Sequence, residues 1–298
     1  MGMKQGVSRI LQSAFGQSPS GKGSSTPNKL KSIELDYEIA PQRRNGGAPN
    51  PRLQSILASG TERYLEHLRY LNSIREDFIE IPEKADASNP FLPNWDNGFL
   101  PGLDIVSLHG FVRRYNPKQY FEIGSGNSTK VARRAIEMHG LQTKITSVDP
   151  YPRSEIDKLC DRVVRSGIET MDLQEVASLE AGDILFFDGS HYAYMNSDVT
   201  VVFLEILPLL QPGVLVQIHD ICLPFDYPAD WWHRCYSEQY LLACALLYGP
   251  DRFKIELPNM FVSWDPALSG TLKDLWGDPR MSRVPQTHGA SFWFSIPA

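Results

Sequence analysis

The stretch that most constrains this chain is residues 119–129, QYFEIGSGNST. Tyr120, Phe121, Glu122 and Ile123 favour a buried strand. Gly124 and Gly126 follow, and Asn127-Ser128-Thr129 opens a helical run, KVARRAIEMHG. A strand, a glycine turn and a helix start make a nucleotide-binding corner, because glycine lets a ligand approach the backbone and free helix N–H groups face it. A dinucleotide fingerprint asks for a third glycine at position 129, where this chain has Thr129. Alone, G-x-G reads more readily as a plain turn before a helix. Two later features shift the balance. The strand Lys144-Ile145-Thr146-Ser147-Val148 ends at Asp149, about 25 residues past Gly124, where an acid can accept both ribose hydroxyl protons. A further apolar run, ILFF, again closes on an acid, Asp188.

The pattern E-x-G-x-G-x-S, a V-D at the second strand and FFDGSH at the fourth resembles the class I S-adenosylmethionine-dependent methyltransferases. It is most similar to the bacterial small-molecule O-methyltransferases, over residues 100–298. The resemblance implies that Glu122 and the loop Gly124, Ser125, Gly126, Asn127 and Ser128 hold the methionine part of S-adenosylmethionine. It also implies that Asp149 holds the ribose.

At 298 residues the chain accommodates one large α/β domain plus an appendage. A net charge of −6 and a pI near 5.7 argue against a nucleic-acid binder. Cys160, Cys222, Cys235 and Cys244 show neither C-x-x-C pairing nor zinc spacing, and read as buried, reduced thiols of a cytoplasmic protein. No apolar run approaches the ~20 residues that span a bilayer. Lys4 and Arg9 with Val7, Ile10, Leu11 and Phe15 make a poor signal peptide, and read as a frayed amphipathic terminus.

Three segments follow. Residues 1–50 are rich in Ser, Gly, Pro, Lys and Asn and read as mostly disordered, with 33–39 docking as a strap. Residues 51–100 form a helical extension and a lid loop. Leu53, Ile56 and Leu57 make one stripe; Tyr64, Leu65, Leu68, Leu71, Ile74 and Phe78 make a second, capped by Thr61. This pair packs over an edge of the catalytic domain as core, lid or dimer arm, which the sequence leaves open. In the punctuated loop after it, Trp95 and Asn97 are candidate lid contacts.

Residues 101–298 are the catalytic domain. Its helix–strand alternation favours a parallel sheet covered by helices. Strands are expected at 120–123, 144–148, 162–165, 183–187, 214–218, 253–256 and 291–296, with a helix at 236–247 and another ending before Pro208. The resemblance implies a Rossmann-like, seven-stranded, mostly parallel sheet with helices on both faces. Its last strand would be antiparallel and inserted beside the fifth.

Ligands of open parallel sheets bind at the carboxyl ends of the strands. Asp188 and His191 end the fourth strand, and His219-Asp220 end the fifth. Asp188, His219 and Asp220 offer oxygen and nitrogen ligands to one divalent ion, with Mn²⁺ or Fe²⁺ accepting the histidine more readily than Mg²⁺. Metal-dependent relatives, the macrolide sugar O-methyltransferases among them, carry acids at these strand ends and a D-x-x-H, matched here by Asp188 and His191. That resemblance makes His191 the base, while His219 stands where an acid is usual. Downstream, Phe225, Tyr227, Trp231, Trp232 and Tyr236 can stack on an acceptor, and Arg234, Glu238 and Gln239 can hydrogen-bond it. Tyr240, Leu241 and Leu242 read as core. The expected activity is methyl transfer to a hydroxyl of a sugar or phenol. A homo-oligomer fits the same reading. The alternatives are a hydroxylase on the same fold, as in cephalosporin hydroxylase-like proteins, and an inactive cofactor-binding partner subunit.

Overall fold

The structure is a computed structural model and describes residues 47–298. The expected strap at 33–39, the amphipathic terminus and the segment expected to be disordered, as far as residue 46, lie outside the described residues. Seven strands form one sheet in the order β3-β2-β1-β4-β5-β7-β6. They are β1 Gln119–Ile123, β2 Lys144–Val148, β3 Arg162–Val164, β4 Ile184–Phe187, β5 Leu215–Ile218, β6 Lys254–Pro258 and β7 Phe292–Ser295. The first five pair in parallel. β7 runs antiparallel between β5 and β6, as expected of the last strand. Every residue of β4 and β5 is buried, so both faces of the sheet's centre are covered, which is why β4 is an unbroken apolar run and β5 is apolar apart from Gln217, whose amide donates to Ser291 Oγ at 2.6 Å.

The main helices are α1 Pro51–Ala58, α2 Thr61–Ser73, α3 Glu76–Ile79, α4 Gly102–Tyr115, α5 Asn127–Met138, α6 Asp198–Val201, α7 Glu238–Tyr248 and α8 Asn259–Trp264. Asn50 caps α1 by accepting from the amides of Arg52 and Leu53 at 3.0 and 3.4 Å. Thr61 is not the cap of α2: Gly60 holds that place, and the Thr61 hydroxyl turns back to the Ala58 carbonyl at 2.7 Å. The stripe carried by α2 does not run on unbroken, since Ile74 ends the helix and Phe78 lies on α3, although both stay buried. Tyr64, Leu68 and Leu71 are fully buried, and His67 meets Glu256 on edge strand β6 at 3.1 Å. The helical pair is thus core packing on the sheet's edge. The helix after β4 does not stop before Pro208. It passes through a π turn and then a 3₁₀ turn, Leu207–Leu209, since Pro208 has no N–H for an α-helical bond. Among the described residues no helix is long and apolar enough to cross a membrane.

Register positions the site. Ile123 lies beside Val148 and Phe187, and Phe187 beside Ile218. The next residue of each strand continues the ladder: Gly124 N donates to Val148 O at 3.0 Å, Asp188 N to Ile123 O at 2.9 Å, and His219 N to Phe187 O at 2.9 Å. Asp149, Gly124, Asp188 and His219 therefore stand in one row along the carboxyl edge.

Candidate active site

Gly124 occupies a left-handed conformation (φ 80°), and a Cβ there would come within 1.8 Å of the Asp188 carbonyl oxygen. Only glycine fits the corner between β1 and β4. Asp149 organises it from the other side, accepting the Ser125 amide at 2.8 Å and the Tyr151 amide at 2.7 Å. A cleft of about 310 Å³ opens here, lined among others by Gly124, Ser125, Asp149, Asp188 and Gly189. Gly126, Asn127 and Ser128 line an adjoining niche. Glu122 sits beneath rather than in the cleft. It is fully buried, accepts from Tyr120 Oη at 3.0 Å and from Thr129 Oγ1, and burial raises its carboxyl to about 7 against those hydrogen bonds.

Beyond Asp188 lies a larger cavity of about 610 Å³ that contains Asp188, His191, His219 and Asp220. His191 Nε2 is 3.5 Å from Asp188 and 3.6 Å from Asp220, and its Nδ1 is hydrogen-bonded to the buried Glu238. His219 Nδ1 is 3.7 Å from Asp188 and 3.3 Å from Asp220, while its Nε2 meets the buried Asp104 at 3.1 Å. Each imidazole is thus backed by one acid and faces the same two aspartates. Burial opposes their charge, but Glu238 with Asp220 and Asp188 lifts His191 to about 9, and Asp220 and Asp188 with Asp104 lift His219 to about 10. No helix begins at Gly189. His191 is brought round by a left-handed residue conformation (φ 67°), as is Asp220 (φ 54°), conformations that cost non-glycine residues about 1 kcal/mol or more.

The expected ligands Asp188, His219 and Asp220 come together, and His191 joins them; Asp188, His191 and Asp220 place ligand atoms within 4.8 Å of one another. The backing acids differ. Asp104 is saturated, receiving Asn259 Nδ2 at 2.7 Å and the amides of Ala290 and Ser291 at 2.9 Å. His219 and these donors hold its carboxyl below the usual range although burial pushes upward. Glu238 keeps Oε2 buried without a hydrogen bond, and burial raises it to about 7.

The outer wall sorts the aromatic residues. Trp231 and Tyr236 line the cavity, with Arg234 4.1 Å above the Trp231 ring. Phe225 and Tyr227 pack behind it in a separate core cluster. Trp232 is not part of the lining. Glu238 and Gln239 cannot reach an acceptor, since both are fully buried and Gln239 accepts the Cys222 amide at 2.9 Å. Tyr240 is not core; it is exposed and its hydroxyl reaches Asp226 at 2.6 Å. Trp95 is buried in the cavity wall. Asn97 braces its own loop through the amides of Phe99 and Leu100 and receives Asn127 Nδ2 at 3.4 Å, tying the loop to the glycine corner.

Residues 121–221 match the family model described as a methyltransferase domain. That segment runs from β1 to just past the acid–imidazole cluster, and over it the chain is similar to a methyltransferase domain. An uncharacterized protein of Archaeoglobus fulgidus is 28% identical over 92 residues, which are 30% of this chain and 41% of that protein. The chain thus matches about two fifths of that relative's length. The solved structure of the plantazolicin methyltransferase BpumL in complex with SAH overlays 83% of this chain and 100% of its own. Its TM-score is 0.41 and its identity 10%, a likeness too remote to add weight.

Proposed function

We propose that this protein transfers a methyl group from S-adenosylmethionine to a hydroxyl oxygen of a small molecule, a sugar or a phenol. One observation carries the reading: the glycine-corner cleft and the aromatic-walled cavity meet at Asp188, which lines both. A donor held in the first and an acceptor held in the second face each other across that residue. Asp149 spends one lone pair of each oxygen on an amide, leaving acceptor capacity for ribose hydroxyls. Methyl transfer is an in-line displacement at the sulfonium carbon, so the protein must align the acceptor oxygen, exclude water and receive the hydroxyl proton.

The donor set suits a divalent ion. Asp188, Asp220 and His219 would hold it, and its charge would lower the acceptor hydroxyl's pKa. His191 is the base. Its backing acid, Glu238, has an oxygen free of hydrogen bonds, whereas Asp104 is fully engaged and fixes His219 in place. Glu238 first, then Asp220 and Asp188, favour the protonated form of His191, and an ion on the two aspartates would offset their share. Nε2 then takes the acceptor proton while Glu238 holds Nδ1. A small-molecule partner and a cytoplasmic setting belong to the same proposal.

Calorimetry with S-adenosylmethionine, S-adenosylhomocysteine and NAD tests the donor, and a mass-shift screen of glycosides and phenols tests the acceptor. Binding of both methionine nucleosides and a product heavier by one methyl group are expected. NAD binding without response to either nucleoside overturns the reading, and nucleoside binding with no turnover leaves the inactive-partner alternative.

A further inference from the structure

Among the described residues that line the cofactor cleft and its niche, the acids are Asp149, Glu169, Asp188 and Asp198. One cation faces them in the cleft, Arg153. Lys130, Arg133 and Arg134, the bases of α5, are absent from both linings. The amino-acid end of S-adenosylmethionine carries an ammonium, a sulfonium and a carboxylate. The acids answer the first two charges and repel the third, which must find a donor or remain unpaired in a partly enclosed site.

We infer that Arg153 holds that carboxylate; the inference rests on the cofactor reading above. Arg153 lines the cleft, the niche against Ser125, Gly126, Asn127 and Ser128, and the acceptor cavity, so it stands where all three meet. Its guanidinium lies 5.2 Å over the Phe99 ring. Among the described residues its side chain makes no hydrogen bond or ion pair, so its donors are available. Arg165, on the same side, is not comparable: it is committed to Asp157 and to the Asp149 carbonyl, the latter at 3.0 Å. The niche also receives the start of α5, whose first-turn amides lack intrahelical acceptors and favour an anion. A guanidinium on one wall and these amides on the other can take both carboxylate oxygens. Stacked on Phe99, Arg153 links the occupied cofactor site to the loop that walls the acceptor cavity.

Two nucleosides separate this from a role toward the acceptor. S-adenosylhomocysteine has the amino-acid end, and 5′-methylthioadenosine is the same thioether nucleoside without it. In calorimetry, Arg153→Met should weaken S-adenosylhomocysteine by about 10–100-fold, the range of a lost charged hydrogen bond. It should leave methylthioadenosine within about two-fold, and Arg153→Lys should recover part of the loss. Arg153 is exposed, and an unchanged melting temperature checks that the variant is folded. Unaltered S-adenosylhomocysteine affinity in Arg153→Met overturns the inference and turns the guanidinium toward the acceptor or solvent. Equal losses for both nucleosides also overturn it, by making Arg153 a wall of the cleft. A wild-type protein that binds neither nucleoside fails the cofactor reading itself, a result distinct from the other two.

Discussion

Two clusters of histidine and carboxylate are built from the same residue types at similar spacing, yet they behave oppositely. At the carboxyl edge of the sheet, His191 and His219 share Asp188 and Asp220 and are backed by Glu238 and Asp104. Where α3, α4 and the end of α5 meet, one acid serves everything: Asp77 Oδ2 lies 2.9 Å from His139 Nε2, 3.4 Å from His109 Nε2 and 2.5 Å from Arg113 Nη1. Asp77, His109 and His139 also have metal-ligand spacing. In the first cluster acids outnumber imidazoles and histidine protonation is favoured. In the second, burial lowers the pKa of His109 despite Asp77, with His139 and Arg134 pushing the same way. Burial would raise Asp77, but His109 and Arg113 hold it down at about 2. The ratio of acids to bases, more than their presence, sets what a cluster can do. A cavity reaches the first. The second is a clasp between α3 and the two helices beneath it.

The largest expected difference is in turnover. His191→Ala should slow methyl transfer by roughly 10²–10⁴-fold with little loss of cofactor affinity, whereas His139→Ala should leave the rate within about two-fold. Equal effects on the rate would erase the distinction. Next comes stability. Asp104→Asn strips a fully buried acid from His219 and should cost about 3–5 kcal/mol in denaturant unfolding. Asp77→Asn should cost about 1–2 kcal/mol, because Arg113 and His139 can turn to water. A reversed order would mean the site cluster is the looser of the two. Divalent ions offer a smaller effect: Mn²⁺ should raise the melting temperature of wild type and Asp77→Asn alike, but not of Asp188→Asn. At 100 times its dissociation constant an ion adds about 2.7 kcal/mol. Stabilisation lost in Asp77→Asn and kept in Asp188→Asn would put the metal in the clasp.

The smallest effect is in pH. His109 has a lowered folded pKa, so the unfolded chain takes up its proton first as pH falls below about 6.5. Unfolding free energy should therefore decline on the acid side of that value, and His109→Gln should flatten the slope. Asp77, depressed to about 2, contributes stability that is present above its unfolded pKa of about 4 and lost as pH falls towards 2. Asp77→Asn should remove that second loss. An acid limb identical in wild type and both variants would assign it to other groups.

Much of the row at the sheet edge was legible in the sequence, because in β2, β4 and β5 a largely apolar or β-branched run is followed by an ionisable residue that marks its end. ITSV stops at Asp149, ILFF at Asp188 and LVQI at His219. The acids that back the histidines left no such trace. Asp104 sits in the first turn of α4, where an acid reads as an ordinary partner of the helix dipole. Glu238 reads the same way at the start of α7. Only chain crossings 115 and 47 residues long bring them to His219 and His191. The aromatic segment failed differently: Trp231 and Trp232 lie in a 3₁₀ turn, Ala229–Arg234, so helical periodicity could not tell which faces the cavity. Thr61 misled because Gly60, with no side chain to offer, ends the preceding break one residue earlier.

The row of Asp149, Gly124, Asp188 and His219 also works as a ruler. Neighbouring strands are spaced about 4.8 Å apart, so the span from Asp149 to His219 is fixed at three strand widths, about 14 Å. Loops such as 95–101 and 225–236 can be remodelled to admit other acceptors without altering that span. Lengthening a strand by one residue would turn its terminal side chain to the opposite face. Changes in those loops can thus alter what the cavity admits without altering the spacing of the row beneath it.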